Sequence, residues 1–370
     1  MVKVICLSHD VGGLVGENNV DWLSAGIVSD SESDATVSGG ASNLASIGGL
    51  VGVNRGGDIL RSTSRGTTSG ANIAGVNVGG LVGVNLLGKI VDGSALGRVT
   101  GGSSGTAGGL VGRNTGKIVR SSASGVVDGR YAQAIGGFVG LNEGIVTGGK
   151  ALGAVMSAST GSTGGFVGIN LGMNAFIDMA EAHGAVTGGQ GANGGFVGSH
   201  LGGRIAHSVA RGKTIGGNYS KTGGFVGSNA AELTNNDASG DVSAGTGASA
   251  GGFAGANTTS GTIETAWATG NVSGGSSSTV GGFAGENFGA VVDASASGTV
   301  GAGYYATLGG LIGLNAGFVE RSAASGRINV SSYQTLGGLV GINRGTFRNS
   351  IASGEAALQK IAGLNLGVIE

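Results

Sequence analysis

The feature that most constrains this chain is a seven-residue phrase, "GGLVGVN", that returns with few changes along its whole length. Its glycine pair opens at Gly12, Gly48, Gly79, Gly108, Gly136, Gly164, Gly194, Gly223, Gly251, Gly281, Gly309 and Gly337, with spacings of 36 and 31 and then 28 to 30 residues. Self-similarity at such a period marks a solenoid, in which each unit buries its apolar face only by stacking on its neighbours. Composition selects the kind of solenoid. With 85 Gly and no Pro among 370 residues, and with period-two alternation rich in β-branched residues, the units read as β-coils rather than helical hairpins. Collagen needs proline and a strict three-residue glycine period. Disorder does not fit a chain that is 40% hydrophobic with its apolar residues in register.

The expected fold is therefore all-β: one β-solenoid, resembling a parallel β-helix, of about 12–13 coils with a 28–30 residue repeat. Residues 1–47 form a longer, irregular first coil, 48–360 the regular coils, and 361–370 a truncated last one. At one strand spacing per coil the rod would be roughly 60 Å long. Three strands per coil are expected: "GLVGxN", "IxxSxA" (residues 118–123) and "GxVxG" (residues 125–129), with Asn-x-Gly corners supplying left-handed-tolerant residues. The last unit, "NLGVIE", stops midway with no polar, helical or proline-bearing cap in view, so the partner expected there is the rest of a larger array or another copy end to end.

Alternation assigns the faces. The third position is Leu14, Leu50, Leu81, Leu110, Leu311 or Leu339 in six units and Phe138, Phe166, Phe196, Phe225, Phe253 or Phe283 in the other six, and all should point inward. In phase with them come the third glycine and an asparagine: Asn54, Asn85, Asn114, Asn142, Asn170, Asn229, Asn257, Asn287, Asn315 and Asn343, with His200 replacing it in the seventh unit. Asparagines stacked at about 4.8 Å would bond from coil to coil as a ladder. Three surface pairs test the alignment: Lys213 with Asp241, Arg327 with Glu355, and, across an insertion at "GMNAF", Lys150 with Glu181.

The units "GGLVGRNTGKIVRSSASGVV" and "GGFAGENFGAVVDASASGTV" resemble the GLUG-motif repeat proteins. The resemblance covers the chain from Gly12 onward. It implies a secreted or cell-surface bacterial setting, as in filamentous-haemagglutinin-like adhesins and the non-catalytic region of some streptococcal immunoglobulin A peptidases, and a stalk or adhesive role.

Residue chemistry points the same way. The four histidines, His9, His183, His200 and His207, make no "HExxH", and Cys6 is alone, so no metal, cofactor or catalytic residue is assigned. "SDSESD" (residues 29–34) reads as a solvated loop, and "GGSSGTAGG" lacks the "GK[ST]" of a phosphate loop. A net charge of -1 offers nothing to nucleic acid, and no apolar run is long enough to span a bilayer. Tyr131, Tyr219, Tyr305 and Tyr333 fall four or five residues before a glycine pair and form a candidate glycan-contact edge, since aromatic faces stack on sugar rings. The function expected is a non-catalytic structural or adhesive module that contacts glycans or host surfaces. Its alternatives are a carbohydrate-active β-helix enzyme, which needs paired carboxylates, and an ice-binding solenoid, which needs a threonine row.

Overall fold

The computed structural model describes residues 3–6, 10–21, 24–39, 45–70, 74–158 and 160–370. The chain is a β-solenoid of parallel sheets winding about 11 turns, one between each glycine pair and the next. It divides into two compact units, Met1–Ala185 and Val186–Glu370.

In the first unit each coil carries five short strands rather than three. One turn runs through Thr106–Gly108, Val111–Asn114, Lys117–Val119, Ser122–Ala123 and Val127–Asp128. Every strand pairs in parallel with its counterpart in the next coil, as Ala107 with Ile135, Asn114 with Asn142, Ile118 with Val146, Ala123 with Ala151 and Val127 with Val155. The added strand precedes the glycine pair. The "IxxSxA" segment splits in two because its middle residue takes a left-handed backbone: Arg61, Asp92, Arg120 and Met179 have φ of 45° to 54°. This kink turns a backbone N–H away from its sheet, and a buried side chain of the next coil receives it: Gly93 N donates to Ser121 Oγ at 3.0 Å. That accounts for the serine of the motif.

The second unit repeats the plan. There the kinked segment is continuous in three coils, at Glu232–Ala238, Thr262–Ala268 and Ala290–Ala296, although Asn235, Thr265 and Asp293 keep the left-handed backbone. Its apolar filling includes Val242, Ala250, Val272, Val280, Val300 and Leu308.

Eleven of the twelve residues in the Leu/Phe column are fully buried, and Leu14 is the exception at 54% exposed. Leu14 lies in the first coil, and among the described residues its coil is followed by that of Leu50, whose O accepts the Leu14 N–H at 3.0 Å. The rings stack face to face: Phe138 on Phe166 at 4.5 Å in the first unit, and Phe196, Phe225, Phe253 and Phe283 at 4.7 to 5.0 Å in the second.

The asparagine ladder forms in both units. In the first, each amide donates to the next from Asn18 through Asn54, Asn85, Asn114 and Asn142 to Asn170 at 2.7 to 2.8 Å. In the second, Asn229, Asn257, Asn287, Asn315, Asn343 and Asn365 do the same at 2.8 to 2.9 Å. The remaining amide hydrogen is used within the coil, as from Asn85 to Gly88 O at 3.0 Å, so a buried polar column is satisfied throughout.

The Asn-x-Gly corners differ from expectation. Gly116, Gly144 and Gly345 do not take the left-handed backbone; a Cβ on each would lie 2.1 Å from the carbonyl oxygen of the matching glycine one coil back. Glycine is needed there for close approach between coils. The first unit also corrects the acidic run, which is not a loop: Ile27–Ser29 and Glu32–Ser33 are strands, and their carboxylates face guanidinium groups of the next coil, Arg61 with Asp30 at 2.6 Å and Arg65 with Glu32. In the last coil a 3-10 helix, Gly354–Leu358, stands where the "GxVxG" strand would be, with Ala356 fully buried, so the final coil does carry a short helical segment. His9 lies outside the described residues, and Cys6 ends the strand Lys3–Cys6.

Candidate functional site: an aromatic corner and a charged groove

The tyrosines sit where the chain turns from the "GxVxG" strand into the strand preceding the glycine pair. In the second unit Tyr219, Tyr305 and Tyr333 occupy one corner position with φ of 56° to 59°, and Gly247 and Ser277 hold the same left-handed position between them. The register follows from the corner hydrogen bonds, with Tyr219 N on Thr246 O, Gly247 N on Ser276 O and Ser277 N on Tyr304 O. A left-handed backbone costs a residue with a side chain about 1 to 2 kcal/mol. It also throws the side chain outward: Tyr219, Tyr305 and Tyr333 are 72%, 67% and 77% exposed.

Tyr305 and Tyr333 stack on each other with centroids 5.3 Å apart and planes inclined by 18°. Tyr219 leans along the corner, its ring lying against Gly247, where a Cβ would meet ring carbons at 2.6 and 2.7 Å. Small residues thus leave a notch between two aromatic walls. The corner beneath Tyr333 is fixed by Gln334, whose amide donates to Ala302 O and Gly303 O, both at 2.9 Å. Tyr304, exposed beside Tyr305, belongs to this edge and was not anticipated. Tyr131, in the first unit, takes the equivalent of the Tyr304 position and lines a shallow groove with Asp128, Arg130 and Met156. The four anticipated tyrosines are therefore all exposed at this kind of corner, and within the second unit Tyr305 and Tyr333 touch.

A second feature of the second unit escaped the sequence. On the outer face of the kinked sheet, Arg211, Asp237 and Trp267 line one groove with Val209, Ser239 and Thr269. Val209, Asp237 and Trp267 are successive register partners. With valine on one side and tryptophan on the other, Asp237 has no cation in register. Burial raises its carboxyl above the ordinary range, and the attraction of Arg211 opposes that shift. Arg211, Asp237 and Trp267 stand at positions where no single residue type repeats from coil to coil, so no column marks them in the sequence.

Several other charges are paired from coil to coil. In the first unit Arg120 meets Asp92 at 3.0 Å, Arg113 meets Glu143 at 2.7 Å and Arg98 meets Asp128 at 2.9 Å; in the second Arg321 meets Asp293 at 2.8 Å and Arg204 meets Glu232 at 2.9 Å. The Arg120 and Arg321 guanidinium groups hold the Asp92 and Asp293 carboxyls below their usual range. Lys150 and Glu181 are register partners and pair at 3.3 Å, and Arg327 reaches Glu355 at 3.5 Å. Thr214 partners Val242, which places Lys213 beside Asp241 as aligned; the Asp241 carboxylate accepts from Asn271 N at 2.9 Å.

His200 and His207 lie on different faces. His200 is fully buried in the asparagine column and bonds Glu232 O at 3.0 Å, while His207 lies on the left-handed kink. Burial lowers the His200 pKa to about 4, the bond to Glu232 O opposing. His183 pairs with Glu181 at 2.7 Å. Among the described residues no group of three or more His, Cys, Asp or Glu could hold a metal ion, and no helix is long and apolar enough to cross a membrane. No family model, curated protein or solved structure matches the chain.

Proposed function

We propose that the chain is a non-catalytic structural and adhesive repeat module of a secreted or surface-exposed protein, one that presents its tyrosine corner to glycans or host surfaces. The observation that carries this reading is the pair Tyr305 and Tyr333, stacked at 5.3 Å yet two-thirds or more exposed, on a backbone locked coil to coil by hydrogen bonds. Exposed rings on a fixed support lose little freedom on binding, which favours affinity for a flat sugar face. Pairing of carboxylates with guanidinium groups of neighbouring coils supports a cohesive rather than a catalytic use of charge. The resemblance to GLUG-motif proteins supports the surface setting.

The test is retention on immobilised glycans by the whole chain and by a Tyr305→Ser, Tyr333→Ser variant with unchanged circular dichroism. Retention on at least one glycan class, lost in the variant, is expected. Equal retention of both proteins, retention of neither, or release of new reducing ends from a bound polysaccharide would overturn the proposal.

A further inference from the structure

The groove on the kinked sheet brings an arginine, a carboxylate and an exposed indole together without an ion pair. Arg204, Arg321, Arg327 and Arg348 each close on a carboxylate. Arg211 and Asp237 share a groove, yet the attraction between them stops short of an ion pair. The parallel register holds them apart: Asp237 partners Val209, two residues before Arg211 on the same strand run. Trp267 stands on the other side of Asp237, one coil on, and is 45% exposed. Ser239 and Thr269 complete the rim, both exposed.

We propose that Arg211, Asp237 and Trp267 form a binding site for a neutral hexopyranose unit of an oligosaccharide, separate from the tyrosine corner. A sugar ring offers an apolar C–H face and a rim of hydroxyls. The indole takes the face. The Asp237 carboxylate accepts from two neighbouring hydroxyls, the Arg211 guanidinium donates to a hydroxyl or ring oxygen, and Ser239 and Thr269 extend the polar rim. One anion and one cation leave the site balanced, which selects an uncharged sugar over a uronic acid, whose carboxylate would face Asp237. Val209, partly exposed beside Asp237, gives the ring apolar surface to settle against. The site does not depend on the tyrosine reading, because it shares no residue with that corner.

The test is a tryptophan-fluorescence titration of the full chain in a Trp22→Phe background, so that Trp267 is the only reporter, using gluco-, galacto- and manno-configured tetrasaccharides and a uronic-acid tetrasaccharide as probes. A saturable change with at least one neutral probe is expected. Asp237→Asn and Arg211→Gln should each weaken it roughly tenfold or more, as loss of a charge-assisted hydrogen bond implies. Tyr305→Ser, Tyr333→Ser should leave it unchanged. Saturation-transfer NMR checks Trp267→Ala, which has no fluorescent reporter, and should show loss of contact. No saturable change with any neutral probe, a preference for the uronic acid, or equal binding by the Asp237→Asn and Arg211→Gln variants would overturn the site and leave the tyrosine corner to stand or fall separately.

Discussion

Asn257 donates its side-chain amide to Asn287 Oδ1 at 2.8 Å while its own Oδ1 accepts the amide of Asn229 at the same distance. A single residue therefore satisfies a buried group in the coil on either side. Asn257→Ala should orphan both, and at about 1 to 3 kcal/mol for each unsatisfied buried group the loss is about 2 to 6 kcal/mol. Because repeat arrays need not unfold as one unit, hydrogen exchange along residues 229–287 is the suitable readout. Amides of the neighbouring coils should exchange faster than those of distant coils; uniform protection would argue against the ladder.

The Leu/Phe column makes a prediction with an internal control. Phe225 lies between Phe196 and Phe253 with centroids at 4.7 and 4.9 Å, so Phe225→Ala should cost about 3 to 5 kcal/mol. Leu14→Ala should cost under about 0.5 kcal/mol, since Leu14 is 54% exposed although it occupies the same place in its repeat. Urea unfolding of both variants checks the contrast. Similar losses at the two positions would contradict the burial assignment.

Thr265 carries a β-branched side chain at φ 52°, in a column where Asn235 and Asn349 hold the same conformation. Asparagine tolerates this backbone far better than threonine. Thr265→Asn should therefore raise stability, by about 0.5 to 1 kcal/mol, a fraction of the left-handed penalty of a β-branched residue. Thermal unfolding decides it, and destabilisation by the same amount would mean that the threonine is held by something other than the backbone.

His200 predicts a pH dependence. Its folded-state pKa, about 4, lies below its ordinary value of 6.5, so the unfolded chain takes up the proton first as pH falls. The contribution is fully present above about pH 6.5, is lost progressively down to about pH 4, and totals about 3 kcal/mol at 1.36 kcal/mol for each unit of pKa difference. His200→Asn supplies the residue used in the other copies, able to donate to Asn229 Oδ1, its register partner. Stability of the variant between pH 6.5 and 4 should fall less steeply than that of the parent; parallel curves would place the acid sensitivity elsewhere.

Columns were legible in the sequence where one residue type repeats. The Leu/Phe core, the asparagine ladder and the register of Lys150 with Glu181 follow from alignment of the repeats alone. The strand before the glycine pair was not legible, because segments such as Ser162–Gly164 and Lys221–Gly223 are three residues long with a single β-branched residue each, too short to show alternation. Nor was the left-handed column, where Arg120 and Arg321 break a segment that reads as one continuous strand. Leu14 failed because burial depends on cover from neighbouring coils as well as on position within one. The tyrosine corner was found by its spacing from the glycine pair, whereas Arg211, Asp237 and Trp267 share a site only through a register spanning 28 to 30 residues per coil.

Both proposed sites depend on coils stacked in the stated register, and disulfide formation between Lys213→Cys and Asp241→Cys in a Cys6→Ser background tests it most directly. Laterally paired strands lie about 4.8 Å apart, within the Cα range a disulfide accepts. The account predicts rapid crosslinking of this pair and little of Lys213→Cys with Ser243→Cys, since Ile215 rather than Lys213 partners Ser243. Efficient crosslinking of the displaced pair, with none of the first, would contradict the register and with it both proposed sites.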